Sequence, residues 1–112
     1  MSSVLIVEDN ESLGRSLTRF LRGRGLDVTH AGTLGDAKAR LECDVFDAVL
    51  LDVGLPDGSG LDLLERTGPE RALVMTATPD PVDFERCGVT NFLEKPFDLE
   101  DLFQALRSVV EA

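Results

Sequence analysis

The sequence predicts an α/β fold in which a parallel five-stranded sheet is covered by helices on both faces. Short apolar runs rich in Val, Leu and Ile alternate five times along the chain with segments of helical periodicity. The apolar runs are mostly continuous, which is typical of strands that are buried on both faces. Right-handed crossovers between parallel strands place the helices on both sides of the sheet, so a doubly wound domain is expected.

Five segments are predicted as strands. Four of them are almost entirely apolar, whereas the second is a weaker candidate because polar residues interrupt it. In chain order the predicted strands are 3–7 (SVLIV), 27–31 (DVTHA), 47–51 (DAVLL), 72–75 (ALVM) and 91–93 (NFL). Alternation of these strands with helices favours the order 2-1-3-4-5, in which ligands bind at the carboxyl ends of the strands.

The intervening helices are predicted from apolar periodicity and from residues that cap helix ends. Gly23 and Gly25 end the first helix, and Pro79 and Pro81 keep the fourth one short. The predicted helices are 11–22 with Asn10 as its N-cap, 34–42 with Thr33, 59–66 beginning at the cap Ser59, 80–87, and 99–111 with Asp98.

The composition indicates an acidic single-domain protein. A chain of 112 residues suits one domain, 1–112, and 43% hydrophobic residues suffice for a core. The formal net charge of −10 repels nucleic acid phosphates, so direct DNA or RNA binding is not expected. No apolar run reaches the roughly 18 residues of a membrane span, and no basic segment precedes the first apolar run, so no signal peptide or membrane contact is expected. Cys43 and Cys87 are expected to be buried or half-buried thiols in a reducing cytoplasm.

Polar side chains stand where the predicted strands end. Glu8 and Asp9 follow the first strand, Asp52 the third, Thr76 the fourth and Lys95 the fifth. Because the carboxyl ends of parallel strands meet at one edge of the sheet, these side chains are expected to converge. Three neighbouring carboxylates repel one another unless a cation offsets their charge, and oxygen ligands suit Mg²⁺.

Each of these residues also has an ordinary structural interpretation when it is considered alone. Acids after a strand are favoured by the dipole of the following helix, which suits Glu8 and Asp9. Asp52 could be a turn residue, Thr76 a common strand residue and Lys95 a solvated surface side chain. A site is favoured because every one of them falls at the matching end of a different strand.

The chain resembles the response-regulator receiver domain of two-component signalling. Four segments carry the resemblance, and they are spread over nearly the whole chain: LIVEDN, DAVLLDVGLPDGSGLDLL, VMTATP and NFLEKPF. The resemblance implies a flavodoxin-like (βα)5 fold. The intervals from Asp52 to Thr76 and from Thr76 to Lys95 are each a few residues shorter than the family pattern, which predicts short third and fourth helices.

The resemblance implies a role for each residue at the predicted edge. Asp52 corresponds to the phosphoacceptor. Glu8, Asp9 and Asp52 correspond to the Mg²⁺ ligands, together with the backbone carbonyl of Gly54.

Two further positions correspond to groups that act on the phosphoryl group, and one to a switch. Thr76 corresponds to the hydroxyl that hydrogen-bonds the phosphoryl group, and Lys95 to the lysine that pairs with it. Phe92 corresponds to an aromatic switch that turns inward when Thr76 moves. A cis Lys95–Pro96 bond is also compatible with the family.

The implied function is phosphoryl acceptance. The donor would be the phosphohistidine of a sensor histidine kinase or phosphotransfer protein, and the chain would not be an independent enzyme. Phosphorylation would change the surface of the fourth helix, fifth strand and fifth helix, which an effector domain, a protein partner or a second copy in a phosphorylation-dependent dimer would read.

The sequence leaves three alternatives open. A degenerate receiver would bind partners without being phosphorylated. The predicted short third and fourth helices, which depart from the family pattern, are compatible with this alternative. An aspartate-nucleophile phosphatase would need a second acid two residues after Asp52, where Gly54 stands. A flavodoxin-like FMN carrier would need a phosphate-binding first loop, but EDNES offers carboxylates.

Some polar or flexible residues are expected to be structural only. Asp57 belongs to the turn LPDG, which has Pro56 at its second position. Gly14 is expected to have no role in the site, and His30 is expected to be solvated or capped.

Overall fold

The computed structural model describes residues 2–111, which contain the predicted parallel sheet. Its five strands are β1 (Ser3–Val7), β2 (Asp27–Ala31), β3 (Ala48–Asp52), β4 (Ala72–Thr76) and β5 (Phe92–Glu94). Their spatial order is β2-β1-β3-β4-β5, and all neighbouring pairs are parallel. The predicted order is confirmed, and the carboxyl ends of all five strands share one edge.

Five α-helices connect or follow these strands. They are α1 (Glu11–Gly23), α2 (Leu34–Cys43), α3 (Leu64–Thr67), α4 (Pro81–Cys87) and α5 (Leu99–Glu111). The third helix is a single α-turn preceded by a 3₁₀ turn at Gly60–Leu63, and a second 3₁₀ turn, Pro69–Arg71, leads into β4. The prediction of short third and fourth helices is therefore confirmed.

Side chains alternate between the two faces of the sheet, and each face has its own core. On one face Val4 and Ile6 pack with the apolar stripes of α1 and α5, whereas on the other face Leu5 and Val7 pack with residues from α2, α3 and α4. The strands β3 and β4 are buried along their whole length. Because β3 and β4 are covered on both faces, their polar residues Asp52 and Thr76 lie at the carboxyl ends of the strands.

Capping side chains define where the helices begin. The predicted caps Asn10, Thr33, Ser59 and Asp98 each accept a hydrogen bond from a backbone amide two or three residues later, at 2.9–3.2 Å. Asp80 caps α4 in the same way, although the sequence did not single it out. Its neighbour Pro81 occupies the first helical position, where a missing N–H costs nothing.

Several details differ from the sequence expectations. Asp52 is the last residue of β3, and a two-stranded antiparallel hairpin, Gly54–Leu55 with Gly58–Ser59, follows it. Cys87 is half-buried against the core as expected, whereas Cys43 is exposed because it lies at the end of α2, beyond the apolar stripe.

Within residues 2–111, no helix is long and apolar enough to cross a bilayer.

Candidate functional site

Three carboxylates meet at the carboxyl edge of the sheet. Glu8 directly follows β1 and is 1% exposed, and Asp52 closes β3 and is 8% exposed. One carboxylate oxygen from each of Glu8, Asp9 and Asp52 lies within 4.8 Å of the others. The central strands β1 and β3 are neighbours, with Val7 opposite Leu51, so their ends bring these acids together.

Lys95 supplies positive charge to this group of acids. Its Nζ lies 2.8 Å from Oε1 of Glu8 and 3.5 Å from Oδ1 of Asp52. The backbone N–H of Lys95 donates to the carbonyl of Thr76 at 2.8 Å, which continues the pairing of β4 with β5 by one residue. The Lys95–Pro96 peptide bond is cis. The two Nζ–oxygen distances place the ammonium group between two buried carboxylates.

Thr76 is the last residue of β4 and is 4% exposed. Its Oγ1 accepts a hydrogen bond from the backbone N–H of Thr78 at 3.1 Å. That bond uses a lone pair of the oxygen and leaves the hydroxyl proton available for another acceptor. Because β3 and β4 are neighbours and Asp52 is opposite Met75, the hydroxyl belongs to the same edge as the acids.

The proximity of these groups changes their proton affinities. Burial, together with the adjacent Glu8 carboxylate, raises the pKa of Asp52 to about 7, and Lys95 opposes this only in part. Burial also acts to raise the pKa of Glu8, but hydrogen bonds to Asp52 and Lys95 outweigh it and leave that pKa lowered. Burial acts to lower the pKa of Lys95, but the two carboxylates raise it overall. Two like-charged carboxylates at this distance therefore hold a proton that a cation could replace.

The donor set fits a divalent cation. Oε2 of Glu8 is buried, and within residues 2–111 it has no hydrogen-bond partner. A buried carboxylate oxygen without a partner is costly, so this oxygen suits the role of a ligand to a cation. Three carboxylates against one ammonium leave net negative charge, and oxygen donors are those that hard cations such as Mg²⁺ prefer.

Gly60 is a residue of the site that sequence reasoning missed. A Cβ at this position would lie 2.0 Å from the carbonyl oxygen of Asp52 and 3.0 Å from its carbonyl carbon. The N–H of Gly60 also donates to the carbonyl of Val53 at 2.9 Å. The chain after Asp52 thus folds back so closely that only glycine fits.

The variant Gly60→Ala is expected to destabilise the domain by about 1–3 kcal/mol, because the added methyl group forces the Asp52 backbone to move. Urea unfolding at neutral pH measures this difference. Gly54→Ala is the matched control, since a Cβ at Gly54 meets no atom within 4 Å. Equal midpoints for the two variants would contradict the close approach.

Asp57 is more than the turn residue that the sequence predicts. Its Oδ1 accepts from the backbone N–H of Leu34 at 2.8 Å, and its Oδ2 accepts from that of Gly35 at 3.0 Å. The carboxylate therefore joins the hairpin after β3 to the N-terminus of α2, where a negative charge is favourable. The two amide donors hold the pKa of Asp57 below its usual value.

The variant Asp57→Ala is expected to increase hydrogen exchange at the amides of Leu34 and Gly35, which lose their acceptor. The lowered pKa means that the stabilising effect is present above pH 3.8, the ordinary value, and is lost as the pH falls below it. Amide exchange followed by NMR measures the change. Asp57→Asn keeps one acceptor and should protect one of the two amides, whereas unchanged exchange in Asp57→Ala would show that the contact is absent in solution.

His30 packs against Gly14 and is hydrogen-bonded beside the end of β1. The imidazole Nε2 of His30 lies 2.8 Å from the carbonyl oxygen of Glu8, and the ring is half-buried against Gly14. The signal in the sequence was a glycine inside a helical pattern, which often indicates close packing.

Phe92 lies at the surface beside α4. It is 50% exposed, and its ring centroid is 5.1 Å from that of Phe84. Val82 on the same helix is 74% exposed. The surface formed by α4 and β5 thus presents apolar side chains to solvent.

The comparisons with known proteins agree with this geometry. The family model described as "Response regulator receiver domain" matches residues 4–107. The chain is 34% identical over 116 residues to the sensory transduction protein RegX3 of Mycolicibacterium smegmatis, covering 98% of the chain and 51% of the relative. It is 32% identical over 114 residues to the swarming motility regulation protein RssB of Serratia marcescens, covering 96% and 52%.

Among solved structures, a CheY-like response regulator receiver domain protein from Methanospirillum hungatei superposes with a TM-score of 0.91 at 26% identity, covering 99% of this chain and 94% of that chain. The chain spans about half the length of the curated relatives it matches. The matched range includes every residue that forms the acidic edge and its lysine. The chain therefore belongs to the family of response regulator receiver domains, the receivers of two-component signalling.

Proposed function

We propose that Asp52 is the phosphoacceptor of this receiver and that it takes a phosphoryl group from a phosphohistidine in the presence of Mg²⁺. The observation that carries the proposal is the convergence of the Glu8, Asp9 and Asp52 carboxylates, with the ammonium group of Lys95 beside Glu8 and Asp52. We also treat residues 1–112 as a single receiver domain, since both core clusters are built on one sheet.

The proposed transfer is a displacement at phosphorus. An oxygen of the Asp52 carboxylate forms a bond to phosphorus while the bond from phosphorus to the donor imidazole nitrogen breaks, and the nitrogen keeps the electron pair and takes up a proton from solvent. Such a reaction depends mainly on alignment and charge neutralisation. Lys95 offsets part of the negative charge, and the Thr76 hydroxyl is available to donate to a phosphoryl oxygen.

The side chains of Glu8, Asp9 and Asp52 and the carbonyl of Gly54 would hold the cation. When bound, Mg²⁺ supplies charge neutralisation and orients the phosphoryl oxygens. Lys95 holds one oxygen of Glu8 at 2.8 Å and so leaves the other, Oε2, free to act as a ligand.

The Mg²⁺ affinity is expected to rise as the pH increases through about 7, since the raised pKa of Asp52 makes protons compete with the cation below that value. Calorimetric titration with MgCl₂ at pH 6 and pH 8, in buffers of different ionisation enthalpy, measures both the affinity and the proton release. An affinity that is independent of pH would contradict the proposed ligand set.

Phosphorylation is proposed to act through a two-state switch. Thr76 would move toward the phosphoryl group, and Phe92 would turn inward from its half-exposed position beside Phe84. Comparing the Thr76 and Phe92 conformers with and without beryllofluoride, a phosphoryl mimic, tests the switch, and identical conformers would count against it.

The proposed partners are a sensor histidine kinase or phosphotransfer protein as donor, and an effector domain or protein as the reader of the changed surface. A hollow of about 340 Å³ beside the site, lined by Leu13, Ala77, Lys95, Pro96 and Phe97, offers the donor a mainly apolar surface.

The net charge of −10 supports a domain that does not itself contact nucleic acid. The cytoplasm is the proposed location.

Labelling with acetyl phosphate tests the proposal without knowledge of the natural donor. The 112-residue chain is incubated with acetyl phosphate and either MgCl₂ or EDTA, and acyl phosphates are trapped by borohydride reduction before peptide mass mapping. We expect one modification, only with Mg²⁺, on the peptide that contains Asp52. Modification elsewhere would move the acceptor, and absence of labelling would favour the degenerate receiver, which the short α3 and α4 otherwise leave as an alternative.

A further inference from the structure

Gly14 occupies the interior of α1 and is buried. Glycine is less favourable than alanine inside a helix, so a glycine here needs a structural reason. A Cβ at Gly14 would lie 2.2 Å from Cε1 and 2.4 Å from Nε2 of the His30 imidazole. The ring of His30 therefore fills the space that a side chain at position 14 would take.

The ring position gives His30 a specific hydrogen bond. Its Nε2 lies 2.8 Å from the backbone carbonyl oxygen of Glu8, and because a carbonyl oxygen only accepts, Nε2 carries the proton. The N–H of Glu8 donates to the carbonyl of Ala31 at 3.0 Å. Both backbone polar groups of Glu8 are thus attached to the end of β2, one residue beyond the last register pair, Val7 with Ala31.

We propose that His30, placed by Gly14, is a positioning residue for the acidic pair Glu8 and Asp9. Repulsion among the three carboxylates favours opening of the segment after β1, and the His30 hydrogen bond holds the peptide group between Glu8 and Asp9 against this. The role rests on the proposed cation site, because a fixed peptide group keeps both side chains directed toward Asp52. Residues that orient metal ligands in this way typically change metal affinity about 10–100-fold when they are replaced.

The test compares Mg²⁺ affinities of the 112-residue chain by calorimetric titration with MgCl₂ at pH 8. His30→Leu fills the space without a donor and should weaken binding about tenfold. His30→Gln keeps an N–H at similar reach and should restore most of the affinity. His30 is the only histidine, so ¹⁵N NMR of its ring in the wild type should show the proton on Nε2, and the carbonyl ¹³C shift of Glu8 should change in His30→Leu but not in His30→Gln.

A double-mutant cycle tests the contribution of Gly14. Gly14→Ala should weaken Mg²⁺ binding in the wild type but cause no further loss in the His30→Ala background, which lacks both the ring that the added methyl group would displace and its hydrogen bond. Gly23→Ala is the matched control on the same helix, because a Cβ there meets no atom within 4 Å, and it should leave the affinity unchanged. Equal affinities of His30→Leu and wild type would overturn the positioning role alone, whereas a wild type that binds no Mg²⁺ would overturn the proposed function together with it.

Discussion

The variant Asp52→Asn is expected to lose phosphoryl acceptance from acetyl phosphate completely and to be more stable than the wild type in the absence of a divalent cation. The first effect follows because an amide oxygen is a poor nucleophile compared with a carboxylate. It is also a weaker ligand for a hard cation. Because the variant is expected to be more stable than the wild type, its loss of phosphoryl acceptance could not be attributed to unfolding.

The gain in stability follows from the raised pKa of Asp52. A folded-state pKa of about 7 against an ordinary 3.8 means that the folded protein binds this proton more tightly than the unfolded chain does. The resulting stabilisation is present below pH 3.8 and is lost as the pH rises to about 7. Each pKa unit corresponds to about 1.4 kcal/mol, and the lowered pKa of Glu8 offsets part of the sum, so we expect a gain on the order of 2 kcal/mol at pH 8 for the asparagine variant.

Urea unfolding at pH 5 and pH 8 in EDTA measures the stability, and intact-protein mass measures the labelling. The wild type should lose stability between these pH values, whereas Asp52→Asn should lose much less. Asp44→Asn, an exposed acid at the end of α2, is the charge-matched control and should be labelled normally. Labelling of Asp52→Asn at the wild-type level would refute the assignment of the acceptor.

The variant Lys95→Ala is expected to lose both stability and phosphoryl acceptance. Removing the ammonium group leaves the Glu8 carboxylate, 1% exposed, without its partner at 2.8 Å and beside a second carboxylate. Loss of one member of a buried ion pair costs about 3 kcal/mol or more. The rate of labelling should fall on the order of a hundredfold, as is typical when one preorganised positive or hydrogen-bonding group is removed.

Lys38→Ala is the matched control, because Lys38 is the other lysine of the chain. It should leave labelling unchanged and shift the urea midpoint only slightly. The raised pKa of Lys95 means that its contribution is complete below its ordinary value of 10.5 and is lost as the pH rises above it. The difference between Lys95→Ala and the wild type should therefore be present at pH 8 and decrease at strongly alkaline pH, and a variant as stable as the wild type at pH 8 would contradict the buried pair.

The two variants should also respond differently to Mg²⁺. A cation that binds only the folded state stabilises it by RT ln(1 + [Mg²⁺]/Kd), so the gain increases with the cation concentration and with the affinity of the site. The wild type should therefore regain stability at pH 8 when Mg²⁺ is added, and Lys95→Ala should regain part of its loss because Glu8, Asp9 and Asp52 are all retained. Asp52→Asn should respond least, since it has lost a ligand.

Much of the fold was predictable from local sequence. The observed bounds of β1 and β2 equal the predicted ones. The predicted caps of α1, α2 and α5 are confirmed, whereas the predicted cap Ser59 begins the 3₁₀ turn that precedes α3. β3 and β4 each extend to a polar residue, Asp52 and Thr76, that the apolar runs did not include. The reason is that the ladder continues through backbone groups, whatever the side chain at the strand end is.

The site was predictable to the extent that it depends on strand ends. Parallel strands place their carboxyl ends at one edge, so the order of polar residues along the chain was sufficient to bring Glu8, Asp9, Asp52 and Lys95 together. By contrast, Asp57 and His30 contact groups 23 and 22 residues away, at Leu34 and Glu8. No local pattern specifies such contacts.

The sequence by itself determined the five strands of the main sheet, the helices that alternate with them and the residues at the acidic edge, because periodicity, capping and the direction of parallel strands are local or topological properties. Only the tertiary structure decided that Gly60 lies against the Asp52 carbonyl and that Gly14 makes room for His30. It also decided that one ammonium group lies between two buried carboxylates and leaves an oxygen of Glu8 without a partner. These contacts depend on distances of a few ångströms between segments far apart in the chain, which are set by how the two cores pack against the sheet.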